Sequence, residues 1–295
     1  MNDLKNCNVY TDYIVQESTG TSPIIIENIH HDQNGQEKHS FSFRCPCCKQ
    51  RLPSYRPIPA KLATSLVESL PQPQVFFFDR VSRAALDLAK YYVEEGGVVF
   101  FEPISIGNPE HFQEALEISH IVKYSQDRLS EKDIIPRIDK TILVIETMGD
   151  LGLRYLNRCG QPSSQKWVTL RPFHVRQVRD SAGSGDWCTA GLIHMLASQG
   201  LAGFQNLQPA ELTNAMQFSQ ALGAWNCMYE GARGGMYKVN KSDFHKIIDS
   251  VTHGLDVKDV VLNSLVVELK KLALNKSVCF SCNSSKKRIS EPCLI

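Results

Sequence analysis

The sequence carries almost no net charge: 32 Lys and Arg stand against 31 Asp and Glu in 295 residues. A chain that tracks a nucleic-acid backbone normally shows a basic excess, so this balance speaks against a nucleic-acid partner. Long apolar runs are missing as well. Nothing approaches the ~20 apolar residues of a membrane span. Residues 1–16 are polar, without the apolar stretch of a secretion signal. These absences predict a cytoplasmic protein with no membrane contact. In that compartment the ten cysteines are expected as thiols or metal ligands rather than disulfides. No Gly-Lys-Ser/Thr follows a Gly-rich loop, which excludes a Walker A phosphate loop. Nor does any Gly-Gly pair occur in the first 90 residues.

What is present is an α/β pattern. Hydrophobic residues make up 42% of the chain, enough for a sizeable core. Residues 21–26 and 38–43 read as two strands around the turn signal Asn34-Gly35, a hairpin whose polar loop holds His30 and His31. From Ala60 the pattern changes to helix (60–70), strand (75–79), helix (84–95, capped by Ser82), strand (98–102), helix (109–118) and strands at 121–123 and 141–145. Continuous apolar strands between amphipathic helices predict a mainly parallel sheet covered on both faces. A short strand is expected at Val175–Val178. Helices are expected over 186–199, 209–230 and 256–274, with His194 packed in the core.

The segment Asp180-Ser181-Ala182-Gly183-Ser184-Gly185-Asp186 lies between a strand-like and a helical stretch. Glycine permits unusual dihedrals and close approach of a ligand. The first amides of a helix lack internal partners and sit at its positive end, so such a turn can hold a phosphate or a developing anion. A carboxylate at that point can take a proton from an attacking hydroxyl. A plain strand-to-helix turn has the same sequence requirements, and the residues alone leave both readings open.

The same segment, Asp180 to Asp186, resembles the C-terminal Asp-Thr-x-Gly-Ala-Gly-Asp signature of the ribokinase-like (PfkB) family. Ile145-Glu146-Thr147-Met148-Gly149-Asp150-Leu151-Gly152 is similar to the family's Thr-x-Gly-x-x-Gly turn, at a similar separation. The resemblance covers about residues 60–240. It implies a three-layer α/β/α sandwich, with residues 20–44 as a small β lid. It implies an ATP-dependent kinase that phosphorylates a hydroxyl of a sugar, nucleoside or related metabolite with Mg²⁺. Asp186 would then be the base, and the amides of Ala182, Gly183, Ser184 and Gly185 the anion hole. Thr147, Gly149, Gly152, Lys123 and Ser181 would line the nucleotide.

Three departures separate the chain from the family. The magnesium motif Lys-x-Asn-x-x-Glu stands here as Lys123-Tyr124-Ser125-Gln126-Asp127-Arg128, and Glu102 occupies a position commonly held by Asp. The acceptor-binding strand and its Gly-Gly segment are not found before the lid. A homo- or hetero-oligomeric partner is expected to supply that segment. A catalytically silent, nucleotide-binding subunit that docks a partner chain is the second reading.

Two Cys-x-x-Cys knuckles, Cys45/Cys48 and Cys279/Cys282, together offer four thiolates, the ligand set of a structural zinc. Cys47 is an alternative ligand, and reduced thiols at loop ends are the competing reading. The expected organisation is a lid-like segment with the first knuckle (1–59), an ATP-binding core (60–250) and a zinc-stapled extension (251–295).

Overall fold

The structure, a computed structural model, describes residues 2–14, 22–31, 37–70, 74–159, 166–175 and 177–253. These residues divide into two compact units, with the boundary between Arg56 and Pro57.

The first unit contains a short helix α1 (Asn2–Asn6) and an antiparallel hairpin of β1 (Ile26–His31) and β2 (Glu37–Ser42). The expected hairpin is there, but its first strand runs to His31 instead of ending at 26. Pairing grows outward from a turn, so the ladder reaches His31↔Glu37 and takes His30 and His31 out of the loop. After β2 the chain forms a tighter ribbon. Arg44 pairs antiparallel with Arg51. Leu52 N–H donates to Phe43 O at 2.9 Å, and Cys45 N–H donates to Gln50 O at 2.9 Å. Lys49 takes a left-handed φ of 61° to close the turn. Ile26, Cys45 and Leu52 form the small core of this unit.

The second unit begins with α2 (Ala60–Leu66) and alternates β3 (Val75–Phe78), α3 (Arg83–Glu94), β4 (Val98–Phe101), α4 (Pro109–Ile118), β5 (Ile121–Ser125), α5 (Glu131–Ile134) and β6 (Leu143–Thr147). Ser82 caps α3 by accepting from Ala85 N–H at 3.1 Å, and Asn108 caps α4 by accepting from His111 N–H at 2.9 Å. Then come β7 (Leu153–Asn157), β8 (Val168–Leu170), α6 (Ser184–Leu192), α7 (Gly200–Gln205), α8 (Pro209–Asn226) and α9 (Lys241–Thr252).

The six strands lie in the sheet in the order in which they occur in the chain, β3-β4-β5-β6-β7-β8. The first four are parallel, β7 runs antiparallel to β6, and β8 turns back antiparallel to β7. Of the strand expected at 175–178, the described residues 175, 177 and 178 are not in a strand. Its place in the order is taken by β7 and β8, and the helix α9 also goes beyond the sequence reading. The helix expected at 256–274 lies outside the described residues.

The sheet is covered on both sides. All four residues of β4 are fully buried, and they alternate between two cores. Val99 and Phe101 join Leu86 of α3 and Phe112 of α4. Val98 and Phe100 join Leu192 of α6 and Met216 of α8. A third cluster, built on Trp225 with Ile247, Ile248 and Val251, seats α9 on α8. Among the described residues no helix is long and apolar enough to cross a membrane.

Candidate active site

The carboxyl ends of β3, β4, β5 and β6 share one edge of the sheet, because those strands are parallel. In open α/β sheets this is the edge at which ligands bind. Strand parity then decides which side chains face the layer of α6. Phe100 and Ile121 belong to the α6 core and are direct neighbours in register. Two residues further along each strand, Glu102 and Lys123 therefore stand side by side on the same face.

They form an ion pair, and the side chain of Lys123 is 1% exposed. The Lys123 ammonium also donates to the carbonyl of Gly185 at 3.4 Å. The hydroxyl of Thr189 lies 2.6 Å from the second oxygen of Glu102 and 3.0 Å from the Gly185 carbonyl, with one proton shared between the two acceptors. The first turn of α6 is thus fastened to the sheet by a buried pair of opposite charges. Lys123, which the family resemblance places along the nucleotide, has its ammonium on Glu102 and the Gly185 carbonyl.

Asp186 is the third residue of α6 and is exposed. Its carboxyl titrates above the usual range. Partial desolvation is the main cause, the negative charge of Glu102 adds to it, and Lys123 opposes. Asp79, just past β3, pushes in the same direction as Glu102, and Arg128, just past β5, pushes against it. Asp79 pairs with Arg80 at 3.6 Å.

Gly183 caps α6 in the left-handed region, φ 74°. Ser184 N–H donates to Ser181 O at 3.2 Å, and Ala182 N–H donates to the Asp180 carboxyl at 2.7 Å. Of the four amides expected to form an anion hole, those two are therefore occupied. The amides of Gly183, Gly185 and Asp186 have no partner among the described residues. The group of donors available at this turn is shifted one residue toward the helix. A π-helical turn, Ile193–Ala197, follows α6, an interruption often found at functional sites.

Thr147 closes β6 on the same edge, and its hydroxyl donates to Tyr124 O at 3.4 Å. Gly149 and Gly152 have φ of 59° and 95°. At Gly152 a methyl group would meet Leu170 O at 2.3 Å, so only glycine lets β8 pass this turn. Ser181 is exposed in the turn before α6.

Elsewhere, His194, expected in the core, is exposed, with its ring 6.3 Å from that of Phe218. Cys188 is a buried core thiol pushed up to about 11 by desolvation. Of the zinc knuckles, Cys45 is buried and Cys48 exposed, while Cys279 and Cys282 lie outside the described residues; Cys47, expected as a thiol or alternative ligand, is disulfide-bonded instead. Among the described residues no group of three or more His, Cys, Asp or Glu is placed to hold a metal ion.

No family model and no curated protein matches the sequence. Solved structures do match the fold. Ribokinase from Giardia lamblia superposes with a TM-score of 0.58 at 13% identity, covering 78% of this chain and 72% of that one. The nucleoside kinase of Methanocaldococcus jannaschii gives 0.53 at 15% identity, over 85% and 75%. Fructokinase from Xylella fastidiosa gives 0.54 at 18% identity, over 76% and 71%. The three-layer sandwich built here on six sheet strands and the Asp180–Asp186 turn is the ribokinase-like fold.

Proposed function

We propose that the protein is an ATP-dependent kinase acting on a hydroxyl of a sugar, nucleoside or related metabolite. One observation carries this reading: Asp186, a carboxyl group of raised proton affinity, sits in the first turn of α6 beside three unpartnered amides, at the carboxyl edge of the parallel strands. In this mechanism Asp186 accepts the proton of the acceptor hydroxyl as its oxygen attacks the γ-phosphorus. The bond to the β–γ bridging oxygen breaks, and ADP leaves. The amides of Gly183, Gly185 and Asp186 stabilise the charge on the transferring phosphoryl group. Thr147, Gly149 and Gly152 are proposed to line the nucleotide. The solved kinases of the same fold support the phosphotransfer chemistry by analogy of fold.

Mg²⁺ fits this site only as a companion of the phosphates. Magnesium keeps several waters and commonly uses one or two carboxylates with substrate oxygens. Glu102 is committed to Lys123 and Thr189. When bound with ATP the ion would neutralise phosphate charge. The acceptor segment is proposed to come from another chain, a second copy or a different subunit. β3 supports this, since it has a neighbouring strand on one side only among the described residues and leaves Phe77 40% exposed. A structural zinc on Cys45, Cys48, Cys279 and Cys282 is also proposed, supported by the tight ribbon that holds the first knuckle.

The test is transfer of label from γ-labelled ATP into a metabolite extract by wild type and Asp186→Asn. Product that depends on Asp186 supports the kinase. ATP binding with no product in any extract supports the silent nucleotide-binding subunit, a reading favoured by the sequestered Glu102 and by Arg128 in the magnesium motif.

A further inference from the structure

The turn before α6 is tied to a second segment, Asn226–Gly235, by contacts that the proposed chemistry does not use. Backbone bonds already join the two: Arg179 and Asp180 N–H both donate to Cys227 O, at 2.8 and 3.3 Å. The side chain of Asp180 adds something more directed. The residue is 2% exposed. One carboxyl oxygen accepts Ala182 N–H at 2.7 Å, and the other accepts Gly231 N–H, 51 residues on, also at 2.7 Å. Asn226, fully buried, donates from Nδ2 to Ala182 O at 2.7 Å. Trp187, in α6, donates from its indole to Ala232 O at 3.0 Å.

Bonds from backbone amides to a carboxylate are short and geometrically specific. Here both lie at the tips of the two segments, beyond what the backbone bonds at Cys227 already fix. We propose that Asp180 is a positioning residue that couples the amide-bearing turn to the glycine-rich loop bonded to it. It holds the turn at Ala182–Asp186 and the loop 229–235 in one fixed relation, so that a ligand ordering the turn orders the loop as well. Its meaning for catalysis rests on the kinase reading above. The coupling itself does not, and can be measured separately.

The experiment uses the full chain as wild type, Asp180→Asn and Trp187→Phe. ATP binding is measured by calorimetry at a temperature where circular dichroism shows each protein folded. Amide hydrogen exchange is followed across 181–186 and 229–235, with and without ATP. An asparagine keeps the shape but cannot accept both amides. The expected result is a loss of ATP affinity of about tenfold in Asp180→Asn, faster exchange in both segments together, and slowing of both when ATP is added to wild type. Trp187→Phe cuts the second tie without touching the carboxyl, and gives a smaller change of the same sign in both segments. It carries the test should Asp180→Asn fail to fold. A variant that binds ATP like wild type and only melts earlier would overturn the proposal, as would segments that respond independently. Wild type that binds no ATP removes the kinase reading, while joint or separate exchange still decides the coupling.

Discussion

A methyl group at Gly183 would lie 2.7 Å from the Cα of Ala232. Gly183 also sits at φ 74°, a conformation that costs a side-chain-bearing residue about 1–2 kcal/mol. Both penalties act at the turn that faces the proposed phosphate. Gly183→Ala is therefore expected to lose about 2 kcal/mol or more of unfolding free energy, read by chemical denaturation. Gly185, which has open space around its Cβ position and an ordinary helical place, should accept alanine with far less loss.

Asp186→Asn should fold and bind ATP while losing transfer by roughly 10²–10⁴-fold, the usual contribution of a general base. Single-turnover transfer from labelled ATP checks it. Unchanged turnover would remove Asp186 from the chemistry.

The raised pKa of Asp186 also predicts a pH-dependent stability. The folded state holds this proton more tightly than the unfolded chain. Its stabilising contribution is present below the ordinary aspartate pKa, and is lost as pH rises through the folded value. At neutral pH the ionised carboxyl is a burden, so Asp186→Asn should melt above wild type there, with the gap closing in acid. For turnover, Glu102→Gln removes the neighbouring negative charge and should move the acid limb of the rate profile to lower pH. Equal melting curves at every pH would contradict the desolvation.

Lys123 and Glu102 should be far more costly to separate than a surface pair. Lys123→Met leaves a carboxylate without its cation, and breaking such a pair costs about 3–5 kcal/mol. Denaturant titration measures it, and a loss below about 1 kcal/mol, as in an exposed pair, would count against a buried role. The Met variant combined with Glu102→Gln should recover part of the loss.

Metal analysis of anaerobically purified protein should find about one zinc per chain, falling to background when Cys45 and Cys48 are both changed to Ser. Zinc retained in that variant would move the site elsewhere.

Two elements that frame the candidate site were readable from an apolar run and from punctuation. The run Val98–Phe101 announced a strand buried on both faces, and Asp180–Asp186 announced a glycine turn opening a helix. β7 was missed because Arg154 and Asn157 interrupt its apolar residues. Arg154 is in fact paired with Glu146 and lies over the ring of Trp167 at 4.3 Å. β8 is only three residues long and mostly exposed, which leaves little pattern to find. The ion pair of Lys123 was not legible either, because its partner Glu102 stands 21 residues earlier and only the register of β4 and β5 brings the two together. The clasp from Asp180 to Gly231 spans 51 residues, and no local signal marks it.

The sheet has one more consequence, for the order in which the molecule can assemble. Its strands are neighbours in space in the sequence in which they are made, so each new strand finds its template already emerged. Pairing consecutive strands keeps the sequence separation of the sheet contacts as short as parallel crossovers allow, and synthesis runs from the N-terminus. Lys123 can therefore meet Glu102 before α6 exists, whereas Thr189 and Asp186 arrive only after the sheet is complete. A nascent chain halted between β8 and α6 would hold a finished sheet with one face bare: the carboxyl proposed as the base arrives last, in the same step that covers the core.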